Sequence, residues 1–311
     1  MKKLLITGGL GFIGSIAANY FHKKFQILVF DNPRNEIIDY FSKIPLNLVS
    51  REGGIQKIFD FNPDIILHLG AKSNTDLDNA DLAYFSNTDF TNKLIDYSIK
   101  RKIKLIYASS AATYGDGSNG FDDTDKFHDL IKLKPLNLYG WSKHNSDLFF
   151  SDYLDNNPKS ENIIGLKFFN VFGKNELHKK HMASVISKMI PKIKNNEKIN
   201  LFKHFYQGLY CEAERDFIFV DDICRIFELL MGMDFKSSIY NVGTGTSSKF
   251  SKLIEVGFNS LGRKPLIEFI DLPKQYHGKY QMRTKAPMKR LIKLLNGFEF
   301  TSIEDAVPKL L

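Results

Sequence analysis

Short apolar runs alternate with amphipathic stretches along the first half of the chain. The runs at 3–7, 26–30, 64–69, 103–108 and 163–167 predict buried strands, with a weaker one at 47–49. Helical patterns separate these runs at 12–23, 54–61, 81–100 and 140–154. Continuous apolar strands that alternate with helices are typical of a parallel sheet covered on both faces. The pattern therefore predicts an α/β fold with a doubly wound parallel sheet.

A glycine-rich segment joins the first strand to the first helix. It reads TGGLGFIG and places glycines at Gly8, Gly11 and Gly14. Such glycines permit a tight turn, a close approach of backbone to a pyrophosphate, and close packing of helix on strand. Asp31 ends the second strand, where a carboxylate accepts hydrogen bonds from a ribose. Together these features predict a dinucleotide-binding, Rossmann-type domain.

Two neighbouring side chains bear on which dinucleotide binds. Asp31 by itself favours NAD, because a carboxylate repels a 2′-phosphate. Arg34 lies three residues later and would pair with that phosphate in NADP. These two residues by themselves leave NADP and NAD open.

The hydrophobic pattern changes after Asn170. Residues 181–195 predict a helix, 203–214 show no regular pattern, and 218–220 and 239–241 predict short strands. We therefore predict a cofactor-binding domain at 1–170, to which 216–241 return. Residues 171–215 and 242–311 are expected to form a smaller C-terminal α/β domain that binds the substrate.

Composition narrows the class of protein without defining it. The net charge is 43 − 35 = +8, but the lysines are spread along the chain, which argues against nucleic-acid binding. No apolar run reaches the ~18–20 residues that span a bilayer, so no membrane partner is expected. Two cysteines, Cys211 and Cys224, in 311 residues favour a reducing, cytoplasmic setting over a disulfide framework.

A tyrosine and a lysine one helical turn apart are the main candidates for proton transfer. In KPLNLYGWSK, Tyr139 and Lys143 are spaced i, i+4 at the start of a helix, which puts them on one face. A neighbouring ammonium favours the phenolate, so we expect a lowered pKa for Tyr139. In IYASSAATYG, Ser109 or Ser110 follows a strand and would hydrogen-bond a substrate hydroxyl near Tyr139.

These motifs resemble those of the extended short-chain dehydrogenase/reductases, which modify nucleotide sugars. The resemblance extends over nearly the whole chain through FFNVFG, HKKHMASV, RDFIFVDD, YNVGTG and HGKYQMRT. YASSAATYG and HKKHMAS are most similar to the group that epimerises ADP-heptose. The resemblance implies epimerisation at C6″ of ADP-D-glycero-β-D-manno-heptose by transient oxidation and re-reduction with bound NADP, in lipopolysaccharide synthesis. It also implies a homo-oligomer, a pentamer in that group.

The resemblance also implies roles for individual residues. Tyr139 and Lys179 would carry protons, one for each stereochemical sense, Lys143 would bind the nicotinamide ribose, and Ser110 would be the active-site serine. The expected cofactor residues are Gly8, Gly11, Phe12, Ile13, Gly14, Asp31, Asn32, Arg34, Leu69, Gly70, Ala71, Lys72, Ser73, Asn87, Tyr139, Lys143, Val171 and Lys179. The expected substrate residues are Ser110, Asn170, His181, Lys188, Arg215 and Tyr280. No metal ion is expected.

Some positions depart from the pattern of that group. Lys180 and His181 stand where it carries glycine and serine, and Lys188 replaces a histidine. Its short LFEGS-type loop is here LFKHF, at 201–205, followed by extra residues to about Glu214. These departures leave the nucleotide base and the sugar open.

Three other functions share parts of this pattern. A 4-epimerase of UDP-sugars would share the fold, the glycine segment, Tyr139 and Lys143, but would not need Lys179. A 4,6-dehydratase is disfavoured because Ala111 and Ala112 stand where dehydratases place an Asp-Glu pair. A dinucleotide-binding protein without turnover is the third alternative.

Overall fold

The computed structural model describes residues 1–32, 47–50, 54–73, 77–176, 179, 182–206, 209–273 and 282–311. Three predicted site residues, Arg34, His181 and Tyr280, lie outside the described residues.

The described strands are, in chain order, β1 (Lys3–Thr7), β2 (Gln26–Phe30), β3 (Asn47–Val49), β4 (Ile65–His68), β5 (Lys104–Ser110), β6 (Ile163–Phe168), β7 (Asn170–Phe172), β8 (Ile199–Tyr206), β9 (Leu209–Cys211), β10 (Glu214–Phe219), β11 (Ser238–Val242), β12 (Ser247–Lys249) and β13 (Ile267–Asp271). The described α-helices are α1 (Phe12–Phe21), α2 (Gln56–Phe61), α3 (Ala80–Ala83), α4 (Phe90–Arg101), α5 (Phe127–Leu130), α6 (Leu138–Asn156), α7 (Val185–Lys194), α8 (Val220–Gly232), α9 (Phe250–Ser260), α10 (Lys289–Leu294) and α11 (Ile303–Ala306). A π-helical segment covers Tyr84–Asp89, and 3₁₀ turns cover Ala111–Tyr114 and Val307–Leu310.

Seven of the described strands form one large sheet. Its order is β11-β6-β5-β4-β1-β2-β3, and the pairs from β3 to β6 are parallel. Leu5, Ile66 and Ile106, on adjacent central strands, are fully buried, so the middle of the sheet excludes water from both faces. This is the strand order of a Rossmann-type sheet, and it confirms the predicted fold class.

The chain divides into two compact units. The first comprises Met1–Gly115, Asp123–Phe168 and Ile223–Asn241, and the second comprises Asp116–Asp122, Phe169–Asp222 and Val242–Leu311. Within the described part of the second unit, one small sheet has the order β12-β10-β7 and another has the order β13-β8-β9.

The returning segment of the first unit is held by specific polar contacts. The Lys104 Nζ on β5 donates to the carbonyl oxygens of Leu230 and Met231, at the C-terminal end of α8. A cation at this end of a helix also interacts favourably with the helix dipole. The Asp123 carboxylate accepts a hydrogen bond from the Asn241 amide at 3.1 Å. This bond attaches the end of β11 to the start of the Asp123–Phe168 segment of the same unit.

Two helices differ from their predicted extents. The helix predicted at 81–100 is interrupted by the π-helical segment, so α3 and α4 are separate helices. The helix predicted at 181–195 begins only at Val185. The Ser184 side chain accepts the Ser187 amide and so caps the N-terminus of the helix there.

The segment predicted to be irregular at 203–214 is instead largely strand. β8 and β9 pair antiparallel, with His204 opposite Cys211. β8 also pairs in parallel with β13, where Ile199 lies opposite Ile267. The prediction was wrong because this second partner is distant in sequence, and its hydrogen bonds leave no local pattern.

Candidate active site

The glycine segment forms a turn that tolerates no side chain at two positions. Gly8 has a φ of +68°, and a Cβ added there would lie 2.5 Å from the Cα of Gly70. A Cβ at Gly14 would overlap the carbonyl oxygen of Gly8, so the turn and α1 pack in direct contact. Gly11 precedes α1 in an extended conformation and has no side chain to cap the first amides of the helix. Uncapped helix amides are suited to hold a pyrophosphate.

Asp31 is attached to the glycine turn. Its Oδ2 accepts the Leu10 amide at 2.9 Å, and its Oδ1 accepts the Asn32 amide at 2.8 Å. The carboxylate therefore stands at the end of β2 next to the turn, where a ribose hydroxyl would meet it. The glycine turn and Asp31 together fit a dinucleotide.

A buried chain of hydrogen bonds begins at the end of β1. The Thr7 Oγ1 lies 2.6 Å from the His68 Nδ1, and the His68 Nε2 lies 2.8 Å from the Thr91 Oγ1. The Thr91 hydroxyl donates to the Asn87 carbonyl oxygen at 2.5 Å. These side chains link the ends of β1 and β4 to the π-helical segment. His68 and Thr91 were not predicted as site residues.

Asn87 continues this chain to the helix that carries Tyr139. Its Oδ1 accepts the Lys72 amide at 2.7 Å, and its Nδ2 donates to the Lys72 carbonyl and to the Ser142 Oγ at 2.9 Å. The Ser142 hydroxyl donates to the Tyr139 carbonyl oxygen at 2.8 Å. Asn87 is fully buried, so its amide positions the segment after β4 against α6. A π-helical segment is a frequent device for directing such a side chain.

The segment after β4 contains the predicted cofactor residues at 69–73. Leu69 continues from β4, Gly70 packs against Gly8, and the Gly70 amide lies 3.2 Å from the Thr7 Oγ1. Lys72 and Ser73 are exposed. The segment lies at the carboxyl edge of the parallel sheet, which is where ligands bind in this fold.

Tyr139 lies in the first turn of α6 beside Ser110. The Asn137 side chain caps the helix by accepting the Gly140 amide at 2.8 Å. Burial raises the pKa of Tyr139, and its hydrogen bond with Ser110 acts in the opposite direction. The expected lowering of the pKa of Tyr139 is therefore wrong for the protein alone, because desolvation of the phenolate outweighs the hydrogen bond.

Lys143 lies one turn further along α6 and is almost fully buried, with 3% of its surface exposed. Its Nζ donates to the Ala108 carbonyl oxygen at 2.7 Å. Burial lowers the pKa of Lys143 to about 8, although the negative charge of Asp147 acts to raise it.

Asp147, another turn along α6, forms a fully buried ion pair that sequence reasoning missed. Its Oδ2 lies 2.7 Å from the Lys167 Nζ on β6, and it accepts the Ser109 hydroxyl at 2.6 Å. Lys167 also donates to the Thr113 Oγ1 at 2.7 Å. Ser109 is thus committed to Asp147, which leaves Ser110 as the serine that contacts Tyr139. The signal was available: Lys167 is the one cation within the apolar run IIGLKFF.

In the second unit, Asn170 and Arg215 lie on adjacent strands. β7 and β10 pair in parallel, with Asn170 opposite Phe217. Arg215 is 8% exposed, and its guanidinium lies over the Phe250 ring, 5.8 Å from the centroid. Val171 follows Asn170 on β7, and Lys188 is exposed in α7. The Arg215 Nη1 donates to the Glu214 carbonyl oxygen at 2.8 Å, and a planar guanidinium is the side chain that matches a pyrophosphate in geometry.

Lys179, the second predicted proton carrier, lies next to a buried carboxylate. Its amide donates to the Glu176 carbonyl oxygen at 2.8 Å, and its Nζ lies 3.5 Å from the Glu176 Oε2. Burial lowers the pKa of Lys179, whereas Glu176 acts to raise it. Glu176 was not predicted as a site residue.

The seven-stranded sheet and the glycine turn define a protein of the Rossmann-type, dinucleotide-binding class. More particularly, the chain belongs to the NAD dependent epimerase/dehydratase family, whose model matches residues 4–243. Its cofactor is a nicotinamide dinucleotide, which the turn at Gly8 and the carboxylate of Asp31 fit.

Relatives that match over nearly the whole chain share one name. A protein of Fusobacterium nucleatum named ADP-L-glycero-D-manno-heptose-6-epimerase is 35% identical, over 98% of this chain and 95% of its own length. One of Nitratidesulfovibrio vulgaris with the same name is 34% identical, over 97% of this chain and 95% of its own. A crystal structure of ADP-L-glycero-D-manno-heptose-6-epimerase from Helicobacter pylori has a TM-score of 0.79 and 24% identity, covering 99% of this chain and 94% of its own.

Crossing a bilayer as a helix requires about 20 predominantly apolar residues. In the part of the chain that the structure describes, no helix combines the necessary length and apolar character.

Proposed function

We propose that this chain epimerises ADP-D-glycero-β-D-manno-heptose at C6″ to give the L-glycero epimer. The observation that carries the proposal is 34–35% identity, over nearly the full chain, to two relatives with that activity in their names. The seven-stranded sheet and the glycine turn supply the cofactor-binding scaffold that such a reaction requires.

The chemistry needs hydride transfer and two proton carriers. The nicotinamide dinucleotide, when bound, would supply the hydride transfer, away from C6″ and then back to the opposite face of that carbon. Tyr139 and Lys179 hold the protons, one for each stereochemical sense. The phenol of Tyr139 has a raised pKa and is suited to donate, and the amine of Lys179 has a lowered pKa and is suited to accept. In the reverse direction the two roles are exchanged.

Three further groups bind and orient the substrate. Ser110 hydrogen-bonds Tyr139 and would hold the reacting hydroxyl of the sugar beside it. Asn170 and Arg215 are neighbours in one small sheet. The guanidinium of Arg215 would bind the pyrophosphate of the nucleotide sugar through charge-assisted hydrogen bonds.

The cofactor is proposed to be NADP rather than NAD. The support is the resemblance to the ADP-heptose epimerases together with Arg34, which would bind the 2′-phosphate. Arg34→Ala is expected to weaken NADP binding about tenfold, the effect of one lost charge-assisted hydrogen bond, and NAD binding less. Titration of the cofactor-free protein with each dinucleotide measures this, and equal losses for both would contradict the phosphate contact.

Assembly and location complete the proposal. The chain is proposed to form a homo-oligomer, a pentamer by resemblance to the ADP-heptose epimerases, and to act in the cytoplasm in lipopolysaccharide synthesis. Light scattering on the purified protein measures the number of subunits.

The test of the reaction is proton NMR of ADP-D-glycero-β-D-manno-heptose incubated with purified protein. We expect the L-glycero epimer to appear without added cofactor, because a dinucleotide that stays bound through purification would be returned to its starting state in each cycle. In D₂O, C6″ should gain no deuterium, since its hydrogen is transferred as hydride. Tyr139→Phe is the matched control, expected to keep the dinucleotide and lose turnover.

A UDP-sugar 4-epimerase is the second candidate. The altered segment leaves it open, because the residues that form the β8–β9 pair depart from the pattern that the resemblance to the ADP-heptose epimerases implies. Conversion of a UDP-hexose, with ADP-heptose untouched and with full activity in Lys179→Met, would select this reaction instead. A protein that binds the dinucleotide but converts neither sugar would be the non-catalytic alternative.

A further inference from the structure

We propose that Glu176 is a positioning residue for Lys179, setting both the place and the protonation of its amine through one buried carboxylate. This inference rests on the proposed function, because Lys179 is a proton carrier only in that reaction.

The Glu176 carboxylate is a centre on which three pieces of the second unit converge. Its Oε1 accepts the Gly173 amide at 3.0 Å, the Ser184 hydroxyl at 2.7 Å and the Ser187 hydroxyl at 2.8 Å. Its Oε2 accepts the Ser184 amide at 2.7 Å and lies 3.5 Å from the Lys179 Nζ. The carboxylate thus connects the residue after β7, the turn with Lys179 and the start of α7.

The geometry of the turn keeps the carboxylate and the amine together. Asn175 adopts a φ of +62°, which reverses the chain immediately before Glu176. The Glu176 carbonyl oxygen then accepts the Lys179 amide at 2.8 Å. Backbone and side chain of Glu176 therefore both hold Lys179, one at its amide and the other at its Nζ.

Burial makes the charge of Glu176 effective. The Glu176 side chain is fully buried, whereas the Lys179 side chain is 27% exposed. The carboxylate accepts four hydrogen bonds, and its position beside the first turn of α7 is favourable for a negative charge. The exposed fraction of Lys179 leaves its amine able to reach a substrate.

The two influences on Lys179 oppose each other. Burial and, to a smaller extent, the positive charge of Lys188 on α7 favour the neutral amine, which accepts a proton, and Glu176 favours the ammonium, which donates one. A residue that must do both in the two directions of an epimerisation needs a pKa between these extremes. Glu176 supplies the opposing influence. Without its charge, Lys179 would be a weaker base that binds its proton less tightly.

The test compares a charge change with a matched loss of one hydrogen bond. Glu176→Gln removes the negative charge, and Ser187→Ala removes one hydrogen bond from the same carboxylate without changing charge. Peptide-resolved mass spectrometry of amine acetylation across pH reports the pKa of Lys179 in each folded variant, without any substrate. Circular dichroism and thermal melts establish that each variant is folded.

We expect the pKa of Lys179 to fall by about one unit in Glu176→Gln, the effect of losing one nearby opposite charge, and to stay unchanged in Ser187→Ala. Turnover should fall about 10- to 100-fold in Glu176→Gln, and the limb of its pH profile that belongs to Lys179 should move to lower pH. Glu176→Asp, which keeps the charge on a shorter side chain, should recover part of both properties.

An unchanged pKa of Lys179 in Glu176→Gln would overturn the proposal, as would an equal shift in Ser187→Ala. If Glu176→Gln does not fold, Glu176→Asp decides, since an unshifted pKa there would also overturn it. If the wild-type protein converts no ADP-heptose while acetylation still shows the shift, the proposed reaction fails and the coupling of Glu176 to Lys179 stands.

Discussion

Two lysines proposed for one reaction are held in contrasting ways. Lys143 lies on a long helix, is 3% exposed, and its Nζ donates to the backbone carbonyl of Ala108. Lys179 lies in a turn, its side chain is 27% exposed, and its Nζ lies 3.5 Å from the buried carboxylate of Glu176. Burial lowers the pKa of both amines.

This contrast shows how one scaffold can hold one lysine as a fixed charge and another as a group that exchanges protons. Lys143 is held by helix packing and by a neutral acceptor, as suits a group that binds a cofactor. Lys179 is held by an opposite charge and keeps part of its surface open, as suits a group that exchanges protons with a substrate. The same residue type is therefore suited to two different purposes, because its surroundings differ.

The largest expected effect distinguishes the two lysines by whether their replacement removes turnover alone or also removes the bound dinucleotide. Lys179→Met should reduce epimerisation about 10³- to 10⁴-fold, the usual contribution of a general acid or base, and retain the dinucleotide. Lys143→Met should lose turnover to a similar degree and also release the dinucleotide. The measurements are turnover by NMR and the cofactor content of the purified variants. Normal turnover in Lys179→Met would remove it from the reaction, and equal cofactor retention in the two variants would erase the contrast.

The next effect concerns two carboxylates that pair with lysines, Asp147 with Lys167 and Glu176 with Lys179. Asp147→Asn leaves the Lys167 ammonium buried without its partner and should cost about 3–5 kcal/mol of unfolding free energy. Glu176→Gln should cost less, because the exposed part of Lys179 can be rehydrated. Denaturant unfolding measures both. The double variant Asp147→Asn with Lys167→Met should recover part of the loss, and a double variant as unstable as Asp147→Asn alone would contradict the ion-pair explanation.

A smaller effect follows from the lowered pKa of Lys143. Its ammonium is present below about pH 8 and is lost above, so steps that need this charge slow as pH rises. We expect turnover to fall about tenfold per pH unit above that point. Lys143→Arg keeps its charge at high pH and serves as the control, with a lower rate but no such decline. The same decline in the arginine variant would assign it to another group.

The smallest expected effect is on stability. A buried ammonium whose pKa is lowered from 10.5 to about 8 is disfavoured at neutral pH, so removing it should stabilise the cofactor-free protein. After the lost bond to Ala108 is subtracted, Lys143→Met should gain about 1–2 kcal/mol, or about 2–4 °C in Tm. Calorimetry against Lys179→Met, for which we expect little change, provides the comparison. A lower Tm for Lys143→Met would contradict this account.

Features with a local pattern were predictable from the sequence. The strands from β1 to β6 appeared as apolar runs, and the glycines of the turn marked their own backbone requirements. Features that depend on distant partners were not. The β8 strand needs β13, and the roles of Asp147 and Glu176 depend on groups that folding brings to them. Sequence reasoning saw Tyr139 and Lys143 as a pair but misjudged the pKa of Tyr139, because desolvation depends on packing.

The discontinuity of the first unit has a consequence for synthesis on the ribosome. Its sheet ends with β11, and Lys104 on β5 caps α8 through carbonyls at 230 and 231. The nascent chain must therefore extend past residue 241 before the edge of the sheet beside β6 is covered. Until then β6 presents an unpaired edge, and pairings of such long sequence separation form slowly. The sheet of the first unit is therefore completed late in translation, after Asp116–Asp122 and Phe169–Asp222 of the second unit have also been synthesised.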